Sequence, residues 1–138
     1  MIKKVIFIGF GSIGQRHYSN LSCCFNNLDV KTYIGENKSR INKRPNNKFR
    51  EESIKIISSK QDLIKELKSL LPGDIVFICS RSSEHIFHLE LACKNVKDNI
   101  FIVVEKPLAT DLLELKKINT LKLKKNIFVI SQFRCSQV

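Results

Sequence analysis

Short apolar runs alternate with amphipathic segments along the whole chain. The apolar runs are rich in Ile, Val and Phe, as buried strands of parallel sheets are. They predict strands at residues 3–8, 53–57, 74–79, 100–104 and 127–130. Residues 28–34 alternate weakly between apolar and polar and carry Val, Thr and Tyr, which predicts a further strand. Between them, apolar residues at helical spacing predict helices at residues 12–24, 59–71, 84–94 and 110–123. The segment 35–52 is rich in Asn, Lys and Arg and supports a helix poorly.

The order of these elements predicts the fold class. Strands and helices alternate from end to end, which is typical of βαβ units with parallel strands and right-handed crossovers. We therefore expect an α/β protein with a doubly wound, mainly parallel sheet in three αβα layers, the Rossmann architecture. The length of 138 residues suits one domain, and we expect it to span residues 1–138.

The first predicted strand runs directly into a Gly-x-Gly-x-x-Gly motif formed by Gly9, Gly11 and Gly14. The first glycine permits a tight turn, the second lets a pyrophosphate approach the backbone, and the third lets the helix pack on the strand. Ser12 and Ile13 lie at the start of the predicted helix, where unpaired N–H groups attract anions. The motif therefore predicts a dinucleotide-binding loop.

Composition narrows the class of protein. The chain is 43% hydrophobic and 27% charged, as soluble globular proteins are, and no apolar run approaches the length of a membrane span. Its five cysteines are odd in number and form no Cys-x-x-Cys motif, which favours a reduced protein. We expect a cytoplasmic location and no membrane partner.

The net charge of +11 raises the question of an anionic partner. Two basic clusters, at residues 38–50 and 116–125, carry much of this charge. Phe49 is the one aromatic residue within these two clusters, whereas single-strand binders interleave several aromatic residues with their basic ones. A solvated basic face is the favoured interpretation, and nucleic-acid binding is the less favoured alternative.

Polar residues follow the strand predicted at residues 74–79, at the edge where a doubly wound sheet binds its ligands. The hydroxyl of Ser80 could bond a ribose, whereas Ser82 or Ser83 could simply cap the following helix. A metal site at His85 and His88 is not favoured, because no convincing third ligand accompanies them.

A second polar group, Glu105-Lys106-Pro107, directly follows the strand predicted at residues 100–104. Packing explains a charged pair poorly at this position. The Lys106 ammonium could reach a substrate hydroxyl or carbonyl, and Pro107 would hold the turn. Past the last predicted strand, Arg134 could pair with an anionic substrate group or simply be terminal.

Taken together, these motifs resemble the oxidoreductase family named after glucose–fructose oxidoreductase, inositol dehydrogenase and the rhizopine-catabolism protein (Gfo/Idh/MocA). The residues that carry the resemblance are Gly-Phe-Gly-Ser-Ile-Gly-Gln-Arg-His at 9–17 and Val-Glu-Lys-Pro-Leu-Ala at 104–109, which contains the family's Glu-Lys-Pro signature. Residues 80–85 are similar to its Thr-Pro-Asn-x-x-His loop, and residues 129–134 are similar to the stretch that leaves the nucleotide-binding domain.

The resemblance implies NAD- or NADP-dependent hydride transfer at a sugar or cyclitol carbon. It implies that the glycine motif holds the pyrophosphate and that Ser80 and His85 lie near the ribose and the nicotinamide. Glu105 would shape the nicotinamide pocket, with Pro107 in the same cofactor-binding turn. Lys106 corresponds to the family's catalytic lysine, which orients the reacting hydroxyl and assists proton transfer.

The chain departs from the family pattern at several positions. Arg81 stands where the family usually has Pro. Glu36 lies 22 residues past Gly14, near the distance expected for an acid that bonds the ribose 2′-hydroxyl of NAD. Alignment by the end of the predicted strand would instead put Ile34 or Gly35 at that position. Lys38 and Arg40 could accept the 2′-phosphate of NADP, so both cofactors stay open.

The family also has a second α/β domain, which binds substrate, supplies the usual catalytic His and helps to form oligomers. Because the chain ends at Val138, we expect a truncated protein that lacks this domain and is inactive alone. A homo-oligomer is possible. The alternative function is a non-catalytic NAD(P)-binding or regulatory module.

Overall fold

The structure, a computed structural model, describes residues 2–35, 54–121 and 126–131. Its strands are β1 (Lys4–Ile8), β2 (Asp29–Tyr33), β3 (Ile54–Ile57), β4 (Ile75–Ile78), β5 (Phe101–Val104) and β6 (Ile127–Val129). They form one parallel sheet in the order β3-β2-β1-β4-β5-β6. Each lies within one or two residues of a predicted strand, and the predicted Rossmann-like α/β class is confirmed.

Four α-helices connect the described strands. They are α1 (Ser12–Cys24), α2 (Lys60–Ser69), α3 (His85–Asn95) and α4 (Leu112–Thr120), and a 3-10 turn, Ser82–Glu84, precedes α3. None of the helices in the described ranges is both long and apolar enough to cross a membrane.

Both faces of the sheet are buried at its centre, which explains why β1 and β4 are apolar along most of their length. The outer strands β2 and β3 include polar residues. On one face, Ile6 of β1 belongs to a cluster with Leu63 of α2 and Leu89 of α3. On the opposite face, Phe7 belongs to a second cluster with Tyr18 of α1. Successive side chains of a strand point to opposite faces, so β1 contributes to both clusters.

Side-chain caps fix the starts of two helices. Ser59 accepts a hydrogen bond from the Asp62 N–H at 3.1 Å, and Asp111 accepts one from the Glu114 N–H at 2.8 Å. Asp111 and Glu114 have the three-residue spacing of a capping box, but the second half of the box is altered. The Glu114 carboxylate accepts from the N–H of Thr110, one residue earlier than the box requires.

Three sequence-based expectations about helix ends need correction. The helices predicted at 59–71 and 110–123 end at Ser69 and Thr120, because Leu70 and Leu121 take extended backbone angles. Neither Ser82 nor Ser83 caps α3, whose N-terminal position is taken by Glu84 without a side-chain hydrogen bond. The Ser82–Glu84 turn instead continues directly into the helix.

The strand order determines where a ligand can bind. The chain runs outwards from β1 to β3 and then returns to β4 on the other side of β1. This reversal between β1 and β4 opens a crevice at the carboxyl edge of the sheet, which is where doubly wound proteins bind ligands. The ends of β1, β2, β4 and β5 all meet at this edge.

Candidate functional site

Gly9 builds the turn after β1, and Gly14 of α1 packs closely against it. Gly9 has a φ of +89°, and a Cβ added there would lie 2.5 Å from the nitrogen of Ser80. Its N–H donates to the carbonyl of Tyr33 at 2.7 Å, which ties the turn to the end of β2. A Cβ on Gly14 would lie 2.8 Å from the Gly9 carbonyl oxygen, so a side chain at either position would collide with backbone.

Gly11 differs from these two glycines. Its φ is −72°, which any residue can adopt, and a Cβ built there would meet no atom within 4 Å. It is the N-cap of α1, whose start has no side-chain cap and no acidic residue in its first turn. Ser12 is exposed and Ile13 half-buried in that turn. The N–H groups at this helix start are therefore available to an anion.

A cavity of about 430 Å³ lies at this point of the sheet edge. It extends from the end of β2, across the glycine turn, to the loop after β4. The lining residues are Ile8, Gly9, Phe10, Gly11, Tyr33, Ile34, Gly35, Cys79, Ser80, Arg81, Glu84 and His88. The open space beside Gly11 and the free helix start fit a nucleotide diphosphate at this position.

The loop after β4 is held by two histidines. His85 is buried, and its Nδ1 and Nε2 atoms lie 2.7 Å and 3.0 Å from the carbonyl oxygens of Pro107 and Ser80. A neutral imidazole carries one N–H and can donate to only one of these carbonyls. His88 Nδ1 lies 2.8 Å from the Ser80 hydroxyl. The ring of His85 is thus used within the protein rather than directed at the cavity.

Burial changes the protonation of two groups that line the cavity. Burial lowers the pKa of His88, although the negative charge of Glu84 opposes this effect. Burial also raises the pKa of the Cys79 thiol to about 12, and the charge of Glu105 acts in the same direction. At neutral pH the cavity therefore presents an uncharged thiol beside the glycine turn.

The turn after β5 carries the residues of the Glu-Lys-Pro motif. The Glu105 N–H donates to the carbonyl of Ile78 at 3.0 Å, which fixes the turn to the end of β4. The Glu105 carboxylate lies 2.6 Å from His17 Nε2 on α1. Lys106 is exposed, the Lys106–Pro107 peptide bond is cis, and the Lys106 ammonium forms no hydrogen bond or ion pair within the described ranges. The ammonium is therefore available to a ligand.

Comparison with known proteins identifies the family. The model of the oxidoreductase family with an NAD-binding Rossmann fold, Gfo/Idh/MocA, matches residues 3–133. The chain belongs to this family. No curated protein sequence matches it.

Solved structures share the fold. An NAD-binding protein from Listeria innocua has a TM-score of 0.66 and 18% identity over 98% of this chain and 37% of its own. The myo-inositol 2-dehydrogenase from Lactobacillus plantarum has a TM-score of 0.61 and 18% identity over 87% of this chain and 32% of its own. This Gfo/Idh/MocA chain therefore spans about a third of the length of these relatives.

The structure brings some of the predicted site residues together and separates others. Gly9, Gly11 and Ser80 line the cavity, whereas the 105–107 turn lies outside it, at the end of β5. Glu36, Lys38 and Arg134 lie outside the described residues, as does Arg40. Among the residues that are described, no three His, Cys, Asp or Glu side chains are grouped as a metal site requires.

Two features of the site were not assigned from the sequence. His17 belongs to the stretch that carries the family resemblance, but its contact with Glu105 spans 88 positions and leaves no local signal. Tyr33 lines the cavity from β2, the strand whose end faces the adenosine ribose in dinucleotide-binding folds. The feature of the sequence that could have identified Tyr33 as a cavity residue was its place near the end of a predicted strand.

Proposed function

We propose that this chain binds NAD or NADP and forms the nucleotide-binding part of an oxidoreductase that transfers hydride at a sugar or cyclitol carbon. The observation that carries the proposal is the open space beside Gly11. The backbone there has no need of glycine, since its φ of −72° suits any residue. The absence of a side chain instead leaves room for a ligand at the start of α1.

The chemistry of the cavity supports a dinucleotide. The α1 start offers backbone N–H groups and the positive end of the helix dipole to a diphosphate. Tyr33, Ile34 and Gly35 line the side towards β2, which suits the adenosine half. The nicotinamide half would then extend over β4 and β5, towards the turn at Glu105.

Residues of that turn would serve the reacting end of the cofactor. When bound, the cofactor donates or accepts a hydride at the nicotinamide ring. We assign Lys106 the role of orienting the reacting hydroxyl and assisting its proton transfer, because its exposed ammonium is not used within the described part of the chain. Glu105 and Pro107 would form the wall of the nicotinamide pocket, and Arg134 would contact an anionic substrate group.

The substrate class rests on likeness alone. The Lactobacillus plantarum relative is a myo-inositol 2-dehydrogenase, which supports a cyclitol or sugar as the substrate of the present protein. Because the chain spans about a third of that relative, the groups that select the substrate are expected to lie mostly in a second domain.

Titration of the purified chain with NADH and NADPH tests cofactor binding. The wild type should show saturable fluorescence changes with at least one of them. Gly11→Val places a branched side chain in the open space and should weaken binding by about 100-fold or more. Ser19→Val is a matched control, since Ser19 is exposed on the same helix and lies outside the cavity lining.

The outcomes separate binding from folding. Gly11→Val should stay folded, with a melting temperature within several degrees of wild type because Val is a poorer N-cap, while losing the cofactor. Ser19→Val should keep both properties. A folded wild-type chain that binds neither cofactor would contradict the proposal. Lys106→Ala should retain most cofactor affinity while abolishing turnover in an enzyme that contains the substrate domain.

A further inference from the structure

His17 reaches across the site from α1 to the turn after β5. Its Nε2 atom lies 2.6 Å from Glu105 Oε1, although the two residues are 88 positions apart. An ionised carboxylate can only accept hydrogen bonds, so His17 is the donor. The two side chains are only 19% and 14% exposed, which limits competition from water.

The orientation of His17 is fixed by an aromatic neighbour. The imidazole stacks on the ring of Phe77 in β4, with centroids 5.3 Å apart and planes inclined by 24°. Phe77 in turn stacks on Phe7 of β1 within the core. The imidazole of His17 therefore packs against the aromatic core at the centre of the sheet.

The second oxygen of the same carboxylate acts on the neighbouring residue. Glu105 Oε2 accepts a hydrogen bond from the backbone N–H of Lys106 at 3.2 Å. A continuous path of hydrogen bonds therefore runs from His17 through the Glu105 carboxylate to the backbone of Lys106. It connects the helix that begins at the glycine loop with the turn that carries the lysine.

We propose that His17 is a positioning residue for the nicotinamide half of the cofactor site, acting through Glu105 on the Lys106 turn. This inference rests on the proposed function. Glu105 and Lys106 lie outside the cavity, whose side towards β2 suits the adenosine half and whose glycine turn suits the diphosphate. Loss of the His17 contact should therefore weaken interactions with the nicotinamide and leave those with the adenosine diphosphate unchanged.

Calorimetric titration with NADH and with ADP-ribose, which lacks the nicotinamide ring, tests this division. His17→Ala should weaken NADH binding by about tenfold, the usual range for a lost charge-assisted hydrogen bond, and leave ADP-ribose binding unchanged. His17→Gln should recover part of the NADH affinity, because its side-chain amide can still donate to Glu105. Glu105→Gln removes the charge at nearly constant size and should also reduce NADH affinity selectively.

A distant ion pair provides the control. Lys94 pairs with Glu90 on α3 at the same distance of 2.6 Å, and Lys94→Ala should change neither titration. Equal losses of NADH and ADP-ribose affinity in His17→Ala would show a merely structural role and overturn the inference. Unchanged NADH affinity in this variant would also overturn it. If His17→Ala does not fold, His17→Phe decides by the same comparison, because its ring can still stack on Phe77 but cannot donate to Glu105. A wild type that binds neither ligand would overturn the proposed function together with the inference. This outcome is distinguishable from failure of the inference alone, in which the wild type still binds both ligands.

Discussion

The Nδ1 atom of His85 lies 2.7 Å from the carbonyl oxygen of Pro107, so that α3 holds the turn that carries Lys106. The other ring nitrogen faces the carbonyl of Ser80 at 3.0 Å. One buried imidazole thus joins the loops after β4 and β5. These loops border the two halves of the proposed cofactor site, so their spacing depends on this ring.

His85→Ala should destabilise the protein by about 2–4 kcal/mol, because it removes the hydrogen-bond donor of one facing carbonyl and leaves a cavity in a buried region. Urea unfolding followed by circular dichroism measures the change. Glu90→Ala, on the exposed side of the same helix, should stay within about 0.5 kcal/mol of wild type. Equal losses in both variants would contradict the joining role of His85.

Alanine substitutions at Gly9 and at Gly11 should differ in their effect on the stability of the protein. Gly9→Ala introduces a Cβ 2.5 Å from the Ser80 nitrogen at a φ of +89°, and we expect it to lose at least about 2 kcal/mol of stability. Gly11→Ala adds a methyl group in open space at an ordinary φ, and its stability should stay within about 1 kcal/mol of wild type. Thermal unfolding of both variants checks this order. Comparable melting temperatures for the two would show that Gly9 is not constrained by its neighbours.

The sequence predicted the central strands well because strands buried on both faces are apolar along their whole length. The run from Ile75 to Ile78 is one such strand. The glycine motif was equally readable, since a positive φ at Gly9 and close packing at Gly14 are backbone requirements that few other residues meet. Requirements of this kind concern single positions and their neighbours, so they can be recognised in one sequence.

The ends of two helices and the contacts made across the fold left no such signal. The helical spacing of apolar residues continued past Leu70 and Leu121, but the backbone becomes extended at both residues. The resemblance implied that His85 lies near the ribose and the nicotinamide, and that role stays a prediction. Its ring nitrogens face backbone carbonyls, one of them 22 positions away. Such pairings arise only once the sheet has brought distant loops together.

His88 should make stability depend on pH. Burial lowers its pKa in the folded protein below the ordinary value of about 6.5, and the neighbouring charges of His85 and Lys60 add to this, whereas that of Glu84 opposes it. Below pH 6.5 the unfolded chain therefore binds a proton that the folded chain resists. The stability from a neutral His88 is fully present above pH 6.5 and is lost as pH falls towards the folded pKa.

Urea unfolding between pH 5 and pH 8 tests this dependence. His88→Gln removes the titrating group and should flatten the fall in unfolding free energy below pH 6.5 relative to wild type. A variant whose profile remains parallel to that of wild type throughout this range would show that His88 does not contribute.

Arg81 should bind the diphosphate of the cofactor. It is exposed, lines the cavity together with Gly11, and its guanidinium forms no hydrogen bond or ion pair with another residue of the described ranges. Because guanidinium groups bind phosphate oxygens through charge-assisted hydrogen bonds, Arg81→Ala should weaken ADP-ribose binding by about tenfold at low salt. Lys68→Ala removes one positive charge from α2, outside the cavity lining, and should have little effect.

The choice of ligand and salt identifies which phosphate Arg81 contacts. NADH and NADPH share the diphosphate, so equal losses for both in Arg81→Ala are expected if the guanidinium acts beside Gly11. A larger loss for NADPH alone would place it at the 2′-phosphate instead. The loss should shrink at about 0.5 M salt, because mobile ions screen an exposed charge. Unchanged ADP-ribose affinity, or a loss insensitive to salt, would show that the arginine does not act through its charge.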